Sequence, residues 1–535
     1  MNKVSQLTSH LRLLCTTCFC ASTLMVAAQT ATVAVFSLND FHGGFVADKN
    51  KDIPGAENVL ATLDSLKRVY PFHVTVSAGD NFGGSYFYKA TKGTVLPRFF
   101  ADCGITLSAV GNHEFDDGTE ELAKKWSDSP LRPADWTLRY VCANVRDASG
   151  KIPNYMQPFA TQEIVLSPTK KINVAFVGLL TSSTPSQVSK RRIEGLSFDG
   201  KYNVVLDSVK HLPGYDAVEK ANLRLLLLHV GTQMEKGQAV WDDRNAKDML
   251  AFNDPTFHAL LTGHSHSPVC GHLNANKYPV VQGKWHGEYI SVIKAVVDTV
   301  TMQVLSVEPM LVPTRTDLRL TPRQQELANI IAQQLQTTKM AGAPLSEVLT
   351  VAKDTYIHDR DDKHQQTRVG TLVCEAYDVA ARKALGLKEA MIVGTSHFGS
   401  IRAGFTKGEV RVLDIGESLP FANAIRVFRV TGKQVYELVD FGFRNQKFGY
   451  IQTSRLTFKK GKDGSIKSIY YTSPEGRCKK LKAKDVVYLA VDEFQANGGD
   501  GYDPQFFPKS QEVKGLSMPT TTEAFIAYLR TLPSI

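Results

Sequence analysis

The chain has 535 residues, 43% of them hydrophobic and 21% charged, and a formal net charge of +9. That length and apolar content can build more than one packed core, which excludes a disordered or fibrous chain. The mild positive excess comes without a dense basic tract interleaved with aromatics, so it suits small anionic substrates and no nucleic-acid partner is expected.

Residues 1–28 carry Lys3 and Arg12, no acidic residue, and an apolar run over 13–28 that ends in the small residues Ala27-Ala28. This predicts a cleaved signal peptide and a periplasmic or secreted mature protein. The run is short and contains threonines, against a lasting transmembrane anchor. Cys15, Cys18 and Cys20 lack the residues that precede an acylated lipoprotein cysteine. With no lipid-anchor signal over 520–535 either, no stable membrane anchor is expected. Five cysteines then stay: Cys103, Cys142, Cys270, Cys374 and Cys478. An odd and sparse set does not make a disulfide scaffold; a pair or two at most could form, so packed cores must hold the fold.

From about 31 to 315, apolar strands alternate with amphipathic segments. In 57–69, Val59, Leu60, Leu63 and Leu66 mark one helical face. Composition alone gives an α/β class. Five apolar runs, 33–38, 74–78, 105–110, 223–228 and 259–261, are each followed by a metal-ligand residue type. These are Asp40 with His42, Asp80, Asn112, His229, and His264 with His266. Ligands gather at the carboxyl ends of strands in open α/β sheets, so the seven can converge on one rim. The run before Asn112 reads as a strand ending in a loop that opens a helix. Carboxylate, amide and imidazole together suit Zn, Mn, Fe or Co. Seven candidates are too many for one catalytic ion and enough for two if a carboxylate bridges, with Asp80 the natural bridge. Singly, an Asn or Asp after a strand is a turn former, as is Asn112 or Asp116 alone. The joint pattern outweighs that reading, while Glu114 stays structural.

Asn39-Asp40-Phe41-His42-Gly43, Gly79-Asp80, Gly111-Asn112-His113-Glu114-Phe115-Asp116, His229-Val230-Gly231 and Gly263-His264-Ser265-His266 resemble, in order, the five signature blocks of the calcineurin-like metallophosphatases. The Gly-Asn-His-Glu-Phe-Asp form resembles the 5'-nucleotidase family within them. The resemblance implies a two-sheet metallophosphatase sandwich flanked by helices. It implies one metal on Asp40, His42, Asp80 and His266, and a second on Asp80, Asn112, His229 and His264. It further implies that His113, oriented by Asp116, is the catalytic histidine. Two cations about 3.5–4 Å apart lower the pKa of a shared water and neutralise phosphoryl charge.

Residues 322–340 read as a linker helix within 316–344, with Pro322 in its first turn and Leu327, Ile330, Ile331 and Leu335 on one face. Gly342-Ala343-Pro344 stops it. A second α/β substrate-binding domain follows over 345–530. Its blocks at Gln366-Thr367-Arg368-Val369-Gly370, Gly399-Ser400-Ile401-Arg402, Leu419-Pro420-Phe421-Ala422-Asn423 and Phe494 through Tyr502 resemble the 5'-nucleotidase C-terminal domain. The resemblance implies that Phe421 and Phe494 clamp the base, Asn423 meets it, Asp500 takes the ribose hydroxyls and Arg402 meets the phosphate. Lys363 falls where phosphate-binding arginines are usual, and Arg368 where the family has Asn; both count with the substrate site. His397-Phe398-Gly399-Ser400-Ile401-Arg402 stands where the family has Asn-Gly-Gly-Gly-Ile-Arg.

The sequence therefore predicts an exported enzyme with two divalent metal ions that removes the 5'-phosphate from nucleotides by attack of a metal-bound hydroxide. Nucleoside diphosphates and UDP-sugars are expected as further substrates. Within the class the alternative is a 2',3'-cyclic-nucleotide phosphodiesterase with 3'-nucleotidase activity. Outside it, the alternative is a non-catalytic nucleotide-binding surface protein.

Overall fold

A computed structural model describes residues 29–124, 128–242, 246–274, 277–387, 389–445, 447–461 and 465–535. The expected signal peptide, 1–28, lies outside the described residues. Twelve strands form the frame of the N-terminal domain: β1 (Thr30–Leu38), β2 (His73–Ser77), β3 (Ile105–Ala109), β4 (Arg139–Val141), β5 (Phe159–Ser167), β6 (Lys170–Leu180), β7 (Leu223–His229), β8 (Ala259–Leu261), β9 (Pro268–Leu273), β10 (Tyr278–Gly283), β11 (Tyr289–Asp298) and β12 (Val304–Pro313). They make two six-stranded sheets, ordered β12-β11-β1-β2-β3-β4 and β9-β10-β8-β7-β6-β5. β1 through β4 run parallel, as do β6, β7, β8 and β10.

Period-two alternation builds the layers. Val33 and Val35 of β1 join Leu223, Leu225 and Leu227 of β7 in the core between the sheets. Ala34, Phe36 and Leu38 face the helices on the other side of β1, and Leu226 and Leu228 face the outer layer of the second sheet. Both faces of these strands are buried, which is why 33–38 and 223–228 read as nearly continuous apolar runs, broken only by Ser37 in β1 and Arg224 in β7. The helix expected over 57–69 is Ala56–Val69, with Val59, Leu60 and Leu63 buried.

The connecting helix is Pro322–Thr337, three residues shorter than expected, because Lys339–Met340 pairs with Ala343–Pro344 instead. Arg323 and Gln324 each reach Asp64 at 2.7 Å and lay the helix along Ala56–Val69. The C-terminal domain has a four-stranded sheet in the order Ile425–Thr431, Val486–Asp492, Met391–Ser396, Gln452–Thr453. Helix Arg368–Leu385 packs on Met391–Ser396. The five described cysteines are free thiols, so none of the pairs allowed by the count exists among the described residues. Among those residues no helix is long and apolar enough to cross a membrane.

The two domains meet where helix Val412–Ser418 lies against helix Tyr86–Thr91. The Tyr86 backbone N–H donates to Glu417 Oε1 at 2.6 Å, and Lys51 Nζ is 3.6 Å from Asp414. Burial pushes the Glu417 carboxyl up to about 7, above the roughly 4.3 of an exposed glutamate. Since the folded value is the higher one, the contact is at full strength below the exposed value and weakens as pH rises through about 7. Glu417→Gln keeps the acceptor oxygen and removes the titration. It should raise the melting temperature at pH 8 by about 2–4 °C and leave it unchanged at pH 4. Equal melting shifts at both pH values would show that Glu417 does not titrate in this contact.

Candidate active site

Parallel strands place the seven ligand-type side chains on one rim, as their positions after apolar runs predict. Asp40 and His42 follow β1, Asp80 follows β2, Asn112 follows β3, His229 ends β7, and His264 and His266 follow β8. Asp40, His42, Asp80, His264 and His266 all hold positive φ, between 47° and 85°. Such backbone costs about 1–3 kcal/mol per residue and persists only where the surroundings over-determine it.

The side chains form two groups. His42 Nε2 lies 3.0 Å from His266 Nε2, and Asp40 Oδ1 is 3.4 Å from the latter. Beside them His229 Nε2 lies 3.1 Å from Asp80 Oδ2, with the His264 ring edge-on to His229. Asp80 Oδ2 is also 3.6 Å from His42 Nε2, so this carboxylate is shared by both groups. Asp40, His42 and His266 bring ligand atoms within 4.8 Å of one another, as do Asp80, His229 and His264, and as do His42, Asp80 and His113.

Each ring is oriented from behind. His42 Nδ1 meets the Phe82 carbonyl at 3.0 Å and His229 Nδ1 the Ala78 carbonyl at 2.9 Å. Donation there leaves both Nε2 lone pairs facing the cluster. The Asn112 Oδ1 is buried and has no hydrogen-bond partner. An orphan acceptor of that kind costs about 1–3 kcal/mol, so it points to a positive occupant. Burial opposes charge on His229, but Asp80 outweighs burial and pushes the imidazole up to about 10. The rim thus draws positive charge. Two buried carboxylates, an orphan amide oxygen and four imidazoles fit divalent cations of the Zn, Mn, Fe or Co kind.

His113 stands at the edge of the cluster, its Nδ1 2.7 Å from Asp116 Oδ2. Burial opposes the charged imidazole, yet the Asp116 hydrogen bond and the Asp80 field push it up to about 9. The helix expected after Asn112 is instead a 3-10 turn, His113–Phe115, with helix Thr119–Lys124 starting later. Glu114 is the reason. Fully buried, its carboxylate accepts the backbone N–H groups of Asp80, Asn81 and Gly111 at 2.7–2.9 Å and stitches two ligand loops together. A Cβ on Gly111 would fall 2.1 Å from Asp80 Oδ1, so only glycine lets those loops meet.

In the C-terminal domain a cavity of about 400 Å³ is lined by Arg402, Phe421, Asn423, Phe494, Asp500 and Lys363, among others. Phe421 and Phe494 are 52% and 46% exposed, too much for core residues and right for a ligand wall. Arg402 also lines the cleft of about 1130 Å³ between the domains, which reaches Gly83, Gly84 and Asp116. The cavity therefore opens toward the cluster.

Comparison with known proteins agrees with this division. Residues 34–268 match the calcineurin-like phosphoesterase model, and residues 346–507 match the 5'-nucleotidase C-terminal domain. The chain belongs to the 5'-nucleotidase family. It is 23% identical over 530 residues to the Endonuclease YhcR of Bacillus subtilis (strain 168), covering 93% of this chain but 39% of that protein. It is 21% identical to an Apyrase of Tabanus yao, covering 88% of this chain and 86% of the other. The solved 5'-nucleotidase precursor from Thermus thermophilus superposes with a TM-score of 0.57 at 20% identity, covering 94% and 97% of the two chains, which shows the shared fold.

Against the family pattern, one sequence-predicted residue is misplaced. Arg368 does not line the cavity; it opens helix Arg368–Leu385, and its guanidinium faces Glu375, two turns on, at 3.8 Å. Lys363 does line the cavity, but its Nζ donates to the Lys447 carbonyl at 2.6 Å. Sequence reasoning missed Lys447 and Phe448 in the same wall. It also missed Trp285, which stacks on His266 with centroids 5.1 Å apart, and His286, whose N–H holds the Asp40 carbonyl at 2.9 Å. No spacing or motif in the sequence marks these four.

Proposed function

We propose that this chain is an exported, dinuclear metal-dependent phosphohydrolase that removes the 5'-phosphate from nucleotides. The observation that carries the reading is the shared Asp80 carboxylate between two groups of ligands, 3.1 Å from His229 and 3.6 Å from His42. Asp40, His42, Asp80 and His266 would hold one cation, and Asp80, Asn112, His229 and His264 the other. Bound there, the cations supply a nucleophilic water at neutral pH and neutralise phosphoryl charge. His113, held by Asp116, donates a proton or a hydrogen bond to the reacting phosphoryl oxygens. Arg402, where cavity and cleft meet, binds the phosphate side of the nucleotide. Phe421 and Phe494 grip the base, and Asp500 the sugar. Export rests on the composition of residues 1–28, and divalent metal use on the donor set and the family.

The test is turnover of adenosine 5'-monophosphate, adenosine 3'-monophosphate, 2',3'-cyclic AMP and a UDP-sugar, read as phosphate freed from the monoesters, ring-opened adenosine monophosphate from the cyclic ester and UMP from the UDP-sugar. Turnover led by the 5'-monophosphate is expected; preference for the cyclic or 3' substrates would overturn the reading in favour of the phosphodiesterase. Chelation should remove turnover, and added Zn, Mn or Co should restore it, with two equivalents bound per chain by elemental analysis. One equivalent at full activity would refute the dinuclear site. Aromatic stacking contributes about 1–3 kcal/mol per base, so Phe421→Ala and Phe494→Ala should each raise KM about tenfold or more. An unchanged KM in both would remove the base from this cavity.

A further inference from the structure

His397 replaces the residue type usual in its family and makes contacts of its own. It follows strand Met391–Ser396 and is 5% exposed, yet it lines the C-terminal cavity. Its Nδ1 meets Asp500 Oδ2 at 2.6 Å. Its ring leans on Phe494 with centroids 5.0 Å apart, and its carbonyl accepts the Ser400 N–H and hydroxyl at 3.2 and 2.9 Å. On its other side, Nε2 lies 3.9 Å from Asp492 Oδ1, so the ring stands between two carboxylates.

Asp500 is set with equal care. It sits at φ 51°, and its carbonyl accepts the Asn445 side-chain N–H at 3.1 Å. A Cβ on Gly399 would fall 2.7 Å from Asp500 Oδ2, so the one glycine kept in that block leaves room for this carboxylate. Arg402 shares the cavity. An Asp500 free to turn would be lost to the sugar. A charge-assisted hydrogen bond of this length is strong enough to hold the carboxylate in place.

We propose that His397 is a positioning residue for sugar recognition, acting through Asp500. Its Nδ1–H pins Oδ2 and leaves Oδ1 to accept from a nucleotide sugar hydroxyl. This rests on the nucleotide reading of the cavity.

The test compares adenosine 5'-monophosphate with its 2',3'-dideoxy analogue on the full chain, loaded with metal. p-Nitrophenyl phosphate, which has neither sugar nor base, is the reference that scales each variant. His397→Ala should raise KM for the ribonucleotide about tenfold with kcat within twofold, and raise KM for the dideoxynucleotide less than twofold. His397→Asn, which still presents an N–H to Oδ2, should restore the ribonucleotide KM to within about threefold. Equal losses on both nucleotides, or no rescue by Asn in a variant that melts like wild type, would make His397 a packing residue and overturn the inference. If wild type turns over nucleotides, the functional reading stands whatever these variants do. If it turns over only p-nitrophenyl phosphate, both fall together.

Discussion

Asp80→Asn should lower kcat by at least about 10³-fold, a loss of roughly 4 kcal/mol of transition-state stabilisation, and bound metal should fall with it. Asp80 is 1% exposed and is the carboxylate that both ligand groups share. Its Oδ1 is further committed to the His113 N–H at 2.8 Å. Burial opposes its charge, but His229 and His42 hold it well below the ordinary carboxylate range, so it is ionised throughout the working pH range. The neutral amide keeps the shape and removes the charge, so His42 and His229 lose the anion between them. Elemental analysis beside the kinetics decides the matter. A variant that keeps two metals and near-normal kcat would show that Asp80 does not join the two sites.

His113→Ala should lower kcat about 10²–10⁴-fold, the range for removal of a positioned acid–base group, while metal content stays at the wild-type value. That separation distinguishes it from Asp80. The His113 side chain points its Nδ1 at Asp116 Oδ2, 2.7 Å away, which leaves Nε2 for the substrate. The charged form is the one that donates, so activity should fall as pH rises through the pKa of this pair. Without cations that pKa is pushed up to about 9. Cations held by neighbouring Asp80 oppose the proton, so the alkaline limb of the loaded enzyme should lie below that. Asp116→Asn removes the supporting charge and should move the limb lower still, by about one pH unit. An unmoved limb in Asp116→Asn would assign it to another group. Loss of metal in His113→Ala would make the histidine a ligand rather than an acid.

The convergence of the candidate metal-binding residues was legible because each of them stands just after an apolar run. A strand buried on both faces carries few exposed polar positions until it ends, so the polar residues within three positions after Leu38, Ala78, Val110 and Leu261 had to lie at the sheet rim. Asp40, Asp80, Asn112 and His264 lie there. The pair His113 and Asp116 was legible from local spacing, since one tight turn brings i and i+3 together. Its conformation was not. Glu114 accepts N–H groups from Asp80 and Asn81, 34 and 33 residues away, and that pulls the segment out of a regular helix.

The substrate side depended more on tertiary structure. Arg368 looked like a substrate contact, but helix periodicity alone could not say which face of Arg368–Leu385 meets the sheet, and the arginine falls outward. Lys447 and Phe448 enter the cavity from a loop held by Asn445, whose amide reaches Asp500 across 55 residues. Trp285 and His286 arrive through β10, which lies beside β8 only because of the sheet order.

By itself, the sequence determined the two-domain α/β class, the seven candidate metal-binding residues and their order along the chain. These are written in local patterns: strand ends, turns and short blocks. Only the tertiary structure decided that Asp80 is shared at 3.1 and 3.6 Å, that Glu114 ties two ligand loops, and that His397 holds Asp500. Each of those depends on side chains brought from distant segments to within hydrogen-bond range, and no local pattern encodes a distance across the fold.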